Sequence, residues 1–347
     1  MAAMEAADPA ATAAVFRLVK AYQASQAAYL AADLGLADRL AAGPRTAEDL
    51  AADTGTHAPS LRRLLRALAS FGLFREEDDG SFALAPLGTA LRSDVEGSAL
   101  PWVRMFGHPT YWQSWGALGR AIQTGETGVR HALGASDSFD HHKGDAAFAK
   151  IFNDAMTAFS AGNLAAVLSH YDFSRAKRIV DVGGGHGGLL AGILNANPGP
   201  KGTVYDIPHV VAGAPALLAE KGVADRCTAE AGDMFERVPE GADLYLLSRI
   251  IHDWNDEKST LVLKNCRRAM APGGKVVLVE MVLPEKIGTT IRDQDERMND
   301  LNMLVRDGGQ ERAAAEFGAL FAGAGLRLER VVQTTLANTA IIEAVPA

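Results

Sequence analysis

The stretch RIVDVGGGHGGLL, residues 178–190, joins two apolar runs through a cluster of glycines. The first run is typical of a buried strand, and the second opens a helix. Glycines at such a junction allow a sharp turn of the backbone. They also let a ligand approach closely, because no Cβ is present. The stretch therefore predicts a βα unit that binds a ligand at the end of its strand.

Two glycine patterns overlap in this stretch. Gly183, Gly185 and Gly188 fit G-x-G-x-x-G, the pattern of dinucleotide-binding proteins. Asp181, Gly183, Gly185 and Gly187 equally fit D-x-G-x-G-x-G, the pattern of enzymes that bind S-adenosyl-L-methionine (SAM). Both ligands remain open on the glycine spacing alone.

Acidic residues at the ends of the next strands favour SAM. Asp206 in VYDIP is suited to accept hydrogen bonds from both ribose hydroxyls. In AGDMF, Asp233 suits the adenine amino group, and Met234 or Phe235 suits the adenine face. Asp181 would then be the counter-charge of the methionyl amino group. The sequence offers no site for the second nucleotide that a dinucleotide requires.

Around this stretch the chain alternates between strands and helices. Apolar runs predict seven strands: KRIVDVGGG, GTVYDIP, CTAEAGD, ADLYLLS, GGKVVLVEMVL, RLERVVQT and TAIIEAVP. Helical patterns lie between them at 188–196, 208–221 and 255–270. Such a βαβ series predicts an α/β fold, a Rossmann-like domain with a mostly parallel seven-stranded sheet and helices on both faces.

The first ~100 residues show a different pattern from this alternation of strands and helices. Apolar spacing predicts helices, and FREEDDGSFALAPLG at 74–88 predicts a hairpin with Asp79-Gly80 at its turn. This order is that of a winged helix, which we class as an all-α domain. Arg62, Arg63 and Arg66 occupy the helix that would read DNA. Four acidic residues stand in the wing, so a solvated structural face is favoured over a DNA-binding face: Glu76, Glu77, Asp78 and Asp79.

Bulk composition excludes several classes of protein. The chain has 347 residues, enough for two domains, and a net charge of −8, which argues against broad affinity for nucleic acid. No apolar run approaches the ~20 residues of a membrane span, and no secretory signal opens the chain. Cys227 and Cys266 form neither a disulfide framework nor a zinc pattern. We expect a cytoplasmic protein without a metal site.

Residues 100–170 are helical in pattern and rich in aromatic side chains. Most of these side chains should be core, but such density ahead of the α/β domain also suits a pocket for a ring compound. We expect five side chains of this region to line that pocket: Trp102, Phe106, Trp112, Met156 and Phe159.

A histidine follows the apolar run of LYLLSRIIHDWNDE, residues 244–257. His252 stands where the strand ends, at the edge of the sheet on which the chemistry of α/β folds takes place. Taken alone, it would be interpreted as a core histidine held by hydrogen bonds. A titratable group at this edge of the sheet needs a reason, which the rest of the sequence has to supply.

Several motifs together resemble the plant-type O-methyltransferases that act on small molecules, a family that includes caffeate, acetylserotonin and bacterial antibiotic-pathway enzymes. The motifs are DVGGGHG, YDIPHVV, GDMF, IIHDWNDEKSTLVLKNCRRAMAPGGKVVLVEMVLPE and DLNMLVRDGGQERAAAEFGALFAGAGL. The resemblance covers nearly the whole chain. It implies a SAM-dependent, metal-independent enzyme that forms a homodimer through its N-terminal winged helix.

The resemblance also assigns roles to residues. It implies that His252 is the base and that Glu280 and Glu311 flank it as catalytic carboxylates. It implies that Asn302 and Met303 line the substrate site, together with Asp253, which follows the base. Many members carry Lys four positions before the base. Here Ser248 stands at that position with Arg249 beside it, and we keep both as candidate contacts of the cofactor.

The sequence thus predicts three regions: a dimerisation domain at 1–100, a helical linker that lines the substrate site at 101–170, and a SAM-binding catalytic domain at 171–347. The predicted activity is transfer of methyl to a hydroxyl of a small phenolic or enolic metabolite, with S-adenosyl-L-homocysteine as product. Two alternatives remain: a SAM-binding homologue that catalyses decarboxylation or hydroxylation, and a winged-helix transcription regulator.

Overall fold

The structure, a computed structural model, describes residues 7–336 and 338–347, without the side chain of Ala161. The chain divides into two compact units, of which the first comprises Met1–Trp112 with Ala146–Ala155. The second comprises Gln113–Asp145 with Met156–Ala347. The division into functional regions at residues 100 and 170 stays a prediction.

The N-terminal unit consists mainly of helices around a small hairpin. Its elements are α1 (Pro9–Asp33), α2 (Leu36–Arg39), α3 (Ala47–Thr54), α4 (Ala58–Ala69), β1 (Phe74–Glu76), β2 (Phe82–Leu84), a 3-10 helix (Pro86–Leu91), α5 (Leu100–Gly107) and the start of α6 (Pro109–Gly116). The antiparallel pair β1–β2 is the predicted hairpin, so the description of this domain as all-α is corrected. Helix α4 buries Leu61, Leu65 and Leu68, one face at helical spacing.

The arginines on α4 are paired with acidic side chains. Arg66 donates to Glu76 of the hairpin at 2.6 Å, and Arg62 lies 3.2 Å from Glu48 on α3. These ion pairs bind the guanidinium groups within the unit, as the interpretation of α4 as a structural helix requires.

The second unit contains the α/β domain. Its elements are α7 (Leu118–Thr124), α8 (Gly128–Leu133), α9 (Ser138–Gly144), α10 (Ala146–His170, whose start belongs to the first unit), β3 (Arg178–Val182), α11 (Gly188–Ala196), β4 (Lys201–Asp206), α12 (Pro208–Val211), α13 (Ala214–Glu220), β5 (Cys227–Ala231), β6 (Leu244–Ser248), a 3-10 turn (Ile251–Asp253), α14 (Asp256–Ala269), β7 (Lys275–Glu280), β8 (Val282–Leu283), α15 (Ile291–Arg306), β9 (Arg312–Ala313), α16 (Ala314–Gly323), β10 (Leu326–Gln333) and β11 (Ala340–Pro346).

Within the described residues, seven strands form one sheet in the order β10-β11-β7-β6-β3-β4-β5. Strands β3 to β7 are parallel, and β10 and β11 add an antiparallel edge. All seven strands were predicted. The carboxyl ends of β3, β4, β5, β6 and β7 therefore meet at one edge, where ligands of open α/β sheets bind.

Each face of the sheet carries its own apolar core. Val180 and Tyr205 belong to one core, whereas their neighbours Ile179 and Val204 belong to the other, as the alternation of side chains along a strand requires. The two cysteines, Cys266 and Cys227, are both buried and unbonded, one in each core. Burial raises the pKa of each thiol to about 12.

A short parallel ladder lies outside the main sheet. Strand β8 follows β7 and pairs with β9, with Val282 opposite Arg312 and Leu283 opposite Ala313. Glu280 ends β7 just before β8, and Glu311 immediately precedes β9. The ladder thus fixes the two glutamates beside each other. Among the described residues, no helix combines the length and apolar character that crossing a membrane requires.

Candidate active site

The glycine-rich loop after β3 turns through left-handed backbone conformations. Gly183, Gly185 and Gly187 have φ values of 71°, 60° and 83°. A Cβ on Gly183 would come within 2.3 Å of the Ile250 side chain, so a larger residue would displace the segment that leads to His252. The amide of Gly185 donates to Asp206 Oδ2 at 2.8 Å, which ties the loop to the end of β4.

Asp181 lies beneath this loop and is buried. Burial, followed by the negative charge of Asp206, raises its pKa to about 7. A cation next to Asp181 would lower that pKa, because it favours the ionised carboxylate. The site is thus suited to a positively charged ligand group such as an amine.

The segment after β5 is held from two sides. The amide of Phe235 donates to Asp233 Oδ1 at 2.8 Å. The side-chain amide of Asn265 donates to the carbonyls of Met234 and Phe235 at 2.8 and 3.0 Å. The Phe235 ring meets the Trp254 ring edge to face, with centroids 4.9 Å apart. An acid and two apolar side chains are thereby fixed at the edge of the sheet, next to the end of β4.

His252 lies in the 3-10 turn that follows β6. The chain leaves the strand through Arg249, whose φ of 57° is left-handed. The imidazole is buried, with 8% of the residue exposed. Its Nδ1 lies 2.8 Å from Glu311 Oε1 and 3.8 Å from Glu280 Oε2, while Nε2 lies 3.4 Å from Asp253 Oδ1.

The two glutamates have different surroundings. Glu280 Oε1 accepts hydrogen bonds from the amides of Ile250 and Ile251 at 3.0 and 2.9 Å, and burial raises the pKa of Glu280. Burial alone would raise the pKa of Glu311 too. The charges of His252 and Arg249 and the hydrogen bonds from His252 and Asn299 instead lower it below its ordinary value.

These carboxylates set the charge of the base. Burial by itself would lower the pKa of His252, but Glu311, Glu280 and Asp253 outweigh it and raise the pKa to about 10. The same carboxylates would stabilise the imidazolium that forms when the base takes up a proton. A phenol has a similar pKa of about 10, so a proton passes between phenol and imidazole at little cost in free energy.

One atom each from His252, Glu280 and Glu311 lie within 4.8 Å of one another, a donor set that a metal ion can use. The guanidinium of Arg249 already brings positive charge to within 3.7 Å of Glu311 Oε1. A second cation at the same carboxylates would be repelled by it. We therefore describe the three residues as an acid–base cluster.

Three residues that the sequence did not single out support this cluster. Asn299 donates to Glu311 Oε1 at 2.5 Å, and Arg312 donates to the carbonyls of Ile251 and Trp254 at 3.0 and 2.8 Å. Gly309 packs so closely that a Cβ would lie 2.0 Å from the His252 carbonyl oxygen. For Asn299 the sequence holds one signal: it stands one helical turn before Met303, a candidate substrate residue, and so lies on the same face of the helix.

The candidate substrate residues fall in both units. In the second unit, Met303 and Asp253 are buried, and Met156 on α10 is partly buried. Asn302 Oδ1 accepts from Trp115 Nε1 at 3.0 Å, and the Phe159 ring lies 4.7 Å from the guanidinium carbon of Arg249.

The remaining candidates belong to the N-terminal unit. Trp102 stacks on Phe106, with centroids 5.8 Å apart, and Trp112 meets Tyr22 edge to face. The lining role of both groups stays a prediction. So does cofactor contact by Ser248, at the end of β6, and by Arg249.

Comparison with known proteins identifies the family. A profile described as an O-methyltransferase domain matches residues 115–327, and an O-methyltransferase dimerisation domain matches residues 16–94. The chain is 41% identical over 332 residues to the phenazine O-methyltransferase of Lysobacter antibioticus, covering 96% of this chain and 95% of that enzyme. The chain belongs to the O-methyltransferase family. The O-methyltransferase class predicted from the sequence is confirmed.

Solved structures resemble this O-methyltransferase over most of its length. The mitomycin 7-O-methyltransferase matches with a TM-score of 0.91 at 35% identity, over 97% of this chain and 98% of that one. An O-methyltransferase of neocarzinostatin biosynthesis, solved with SAM and 2-hydroxy-5-methyl naphthoic acid, matches with a TM-score of 0.81 at 31% identity, over 93% and 96%.

SAM is the methyl donor of this O-methyltransferase, as predicted. The chain's own residues fit the donor. A Cβ on Gly185 would extend into open space, so the loop leaves room at that position, and the buried Asp181 suits a positive charge.

Proposed function

We propose that this O-methyltransferase methylates a phenolic or enolic hydroxyl of a small fused-ring aromatic metabolite, with His252 as the general base. The observation that carries the proposal is the 2.8 Å contact between His252 Nδ1 and Glu311. It engages Nδ1 with a carboxylate, so we assign the proton exchange with the acceptor to Nε2, which lies 3.4 Å from Asp253 Oδ1. The phenazine, mitomycin and hydroxynaphthoate enzymes among the relatives support a fused-ring acceptor.

Three acids, two apolar side chains and the glycine loop would hold SAM. We assign Asp181 to its amino group, Asp206 to the ribose, and Asp233 with Met234 and Phe235 to the adenine. When bound, SAM supplies a methyl group that a sulfonium has already activated, so the protein need only orient the acceptor and manage one proton.

His252 manages that proton. The acceptor oxygen that takes up the methyl group has to lose its hydroxyl proton. The hydroxyl proton ends on His252 Nε2. Glu311 on Nδ1 stabilises the imidazolium, and general-base assistance of this kind contributes about 10²–10⁴-fold. Glu280 adds a second negative charge near Nδ1.

The test is a product assay with hydroxynaphthoates and hydroxyphenazines as acceptors. We expect the mass gain of one methyl substitution in wild type and a loss of about 100-fold or more in His252→Asn. His170→Asn, at the end of α10, is the matched control and should keep full activity. SAM affinity, measured by calorimetry, should be unchanged in both variants. A fully active His252→Asn would refute the base.

The same assay tests the alternative chemistries. The family favours methyl transfer over decarboxylation or hydroxylation, and each of the three reactions changes the acceptor mass by a different amount. Loss of carbon dioxide or gain of oxygen, with no methylated product, would contradict the proposal.

We further propose a homodimer through the N-terminal unit, which the match to a dimerisation domain supports. Helix α1 exposes Val15, Leu18, Val19 and Tyr22 along one face, with 76% of Leu18 exposed. An apolar cavity of about 400 Å³ in the same unit is lined by Ala24, Ala28, Leu68, Phe71, Leu87 and others. An apolar surface of this kind is typical of an interface.

The cytoplasmic location, the absence of a resident metal and the absence of nucleic-acid or membrane partners stay predictions. The unbonded cysteines support the first of these, and the ion pairs of Arg62 and Arg66 on α4 support the absence of a nucleic-acid partner.

A further inference from the structure

Arg249 is the one non-glycine residue with a left-handed backbone among the described residues. Such a conformation is strained for a side chain with a Cβ, and it persists where the surroundings enforce it. At this point the chain turns from β6 toward His252. The Arg249 amide still donates to the Val279 carbonyl at 3.1 Å, so the turn begins within the sheet.

The side chain of Arg249 is largely buried and reaches three separate elements. Nη1 lies 3.7 Å from Glu311 Oε1, and Nη2 donates to the Asn338 carbonyl at 2.5 Å. The guanidinium carbon lies 4.7 Å from the centroid of the Phe159 ring. These contacts join the loop before β9, the loop before β11 and helix α10 around one cation.

The contact with Glu311 has a direct consequence for the base. Glu311 Oε1 is also the atom that meets His252 Nδ1 and that accepts from Asn299. Three side chains thus surround one carboxylate oxygen, two at hydrogen-bond distance and Arg249 as an ion pair, and only the guanidinium carries a permanent charge. That charge keeps Glu311 ionised when the imidazole is neutral, which is the state that accepts a proton.

We propose that Arg249 is a positioning residue of the catalytic base, holding Glu311 ionised and in place against His252. The inference rests on the proposed role of His252. Many members of the family carry a cofactor lysine at the position of Ser248, and the proposal gives a different function to the next residue, Arg249.

The charged groups around the pair come from several elements. Asp253 from its own turn, Glu280 from β7, Glu311 from the loop before β9 and Asp307 from the end of α15 all act on His252. All four are acidic, and each of them favours the protonated form of His252 and so raises its pKa. The positive charge of Arg249 has the opposite effect and lowers that pKa. Its removal should raise the pKa of both Glu311 and His252 by about one unit.

A double-mutant cycle tests the proposal. We would measure kcat and SAM affinity for Arg249→Gln, Arg249→Lys, Glu311→Gln and the double variant Arg249→Gln/Glu311→Gln. We expect Arg249→Gln to lower kcat about 10-fold or more, Arg249→Lys to lose less, and the double variant to match Glu311→Gln. Arg178→Gln is the control, because Arg178 also donates to a backbone carbonyl but lies at the start of β3.

Several results would overturn the proposal. Losses that multiply in the double variant would mean that Arg249 acts independently of Glu311, as a structural residue would. Weaker SAM binding in Arg249→Gln, with kcat retained at saturation, would assign the residue to the cofactor instead. Unchanged kcat would remove any role in the reaction.

A second readout does not depend on turnover. The ¹⁵N resonances of His252, assigned by comparison with His252→Asn, should titrate about one pH unit higher in Arg249→Gln than in wild type. An unmoved titration would overturn the proposal. Full activity of both His252→Asn and Glu311→Gln would instead refute the proposed base. That result differs from one in which the single variants are impaired and their losses multiply in the double variant, which would refute only the role of Arg249. If Arg249→Gln does not fold, Arg249→Met removes the same charge and supplies the titration, whereas Arg249→Lys keeps the charge and should titrate close to wild type.

Discussion

Asp181 combines a carboxyl group with a buried position at the end of β3, and burial raises its pKa to about 7. Its ionised form is the one that would hold the amino group of SAM. Below pH 7 the carboxyl must first release a proton, and binding becomes weaker as the pH falls.

We therefore expect SAM affinity to fall by about 10-fold per pH unit below pH 7. Calorimetry between pH 5.5 and 8 in buffers of different ionisation enthalpy would measure both the affinity and the proton released. Asp181→Asn should bind more weakly and without this pH dependence. Asp172→Asn, a surface carboxylate whose pKa lies below its ordinary value, should behave as wild type. A flat profile in wild type would contradict the assignment.

Gly309 gives a second prediction at this scale. A Cβ there would overlap the carbonyl oxygen of His252 at 2.0 Å. Gly309→Ala should displace the turn that carries the imidazole and lower kcat by about 100-fold, while SAM affinity changes little. Gly318→Ala on α16 is the control, since its nearest neighbour would lie at 3.9 Å. Normal turnover in Gly309→Ala would show that the turn tolerates the shift.

At this scale the sequence predicted the residues whose signals are local. Asp181 and the glycines were visible in a single motif, and His252 in the abrupt end of an apolar run. Gly309 and Arg249 were not predicted in their present roles, because the groups that they contact, the His252 carbonyl and the Glu311 carboxylate, are far away in sequence. Nothing in the sequence around Gly309 indicates that the His252 carbonyl lies against it.

At the scale of elements, the ladder of β8 and β9 and the turn at Ile251–Asp253 form one assembly. Arg312, fully buried, donates to the Ile251 and Trp254 carbonyls and to Asp256. Ile251 and Arg312 are 61 residues apart in sequence. The assembly fixes the base against both glutamates. Glu280 ends β7, just before β8, and Glu311 immediately precedes β9.

We expect Arg312→Leu to lower the free energy of unfolding by about 3 kcal/mol, because two carbonyls lose their donor inside the protein. Urea denaturation would measure the change. Arg327→Leu on β10 is the control: its guanidinium is mostly exposed and pairs with Glu329 on the surface, so we expect at most about 1 kcal/mol. Equal stability of the two variants would contradict the role of the assembly.

The seven strands and the hairpin were predictable because each has an apolar run bounded by glycine or polar residues. The ladder of β8 and β9 was not predictable, because strands of two residues are too short to show an alternation of apolar and polar side chains. The helical reading of 100–170 was right in kind, but the structure divides that stretch into several short helices and one long one. Glycines and prolines at 107, 109, 116, 125 and 134 separate the short ones.

At the scale of the whole molecule, the proposed homodimer depends on the exposed face of α1. Leu18→Asp with Val19→Asp should convert the dimer to monomers, because two charges would be buried against apolar surface. Size-exclusion chromatography with light scattering would measure the mass. Arg17→Asp, on the same helix, is the control for a change of charge alone. A monomeric wild type, or a dimeric double variant, would contradict the proposal.

The two native cysteines determine how such measurements can be made. Both thiols are buried in the cores on either side of the sheet, and a thiol with a pKa of about 12 holds almost no thiolate at neutral pH. Maleimide reagents should therefore leave the native chain unmodified. A single cysteine introduced on the surface would take a fluorophore selectively, with no need to remove either native residue.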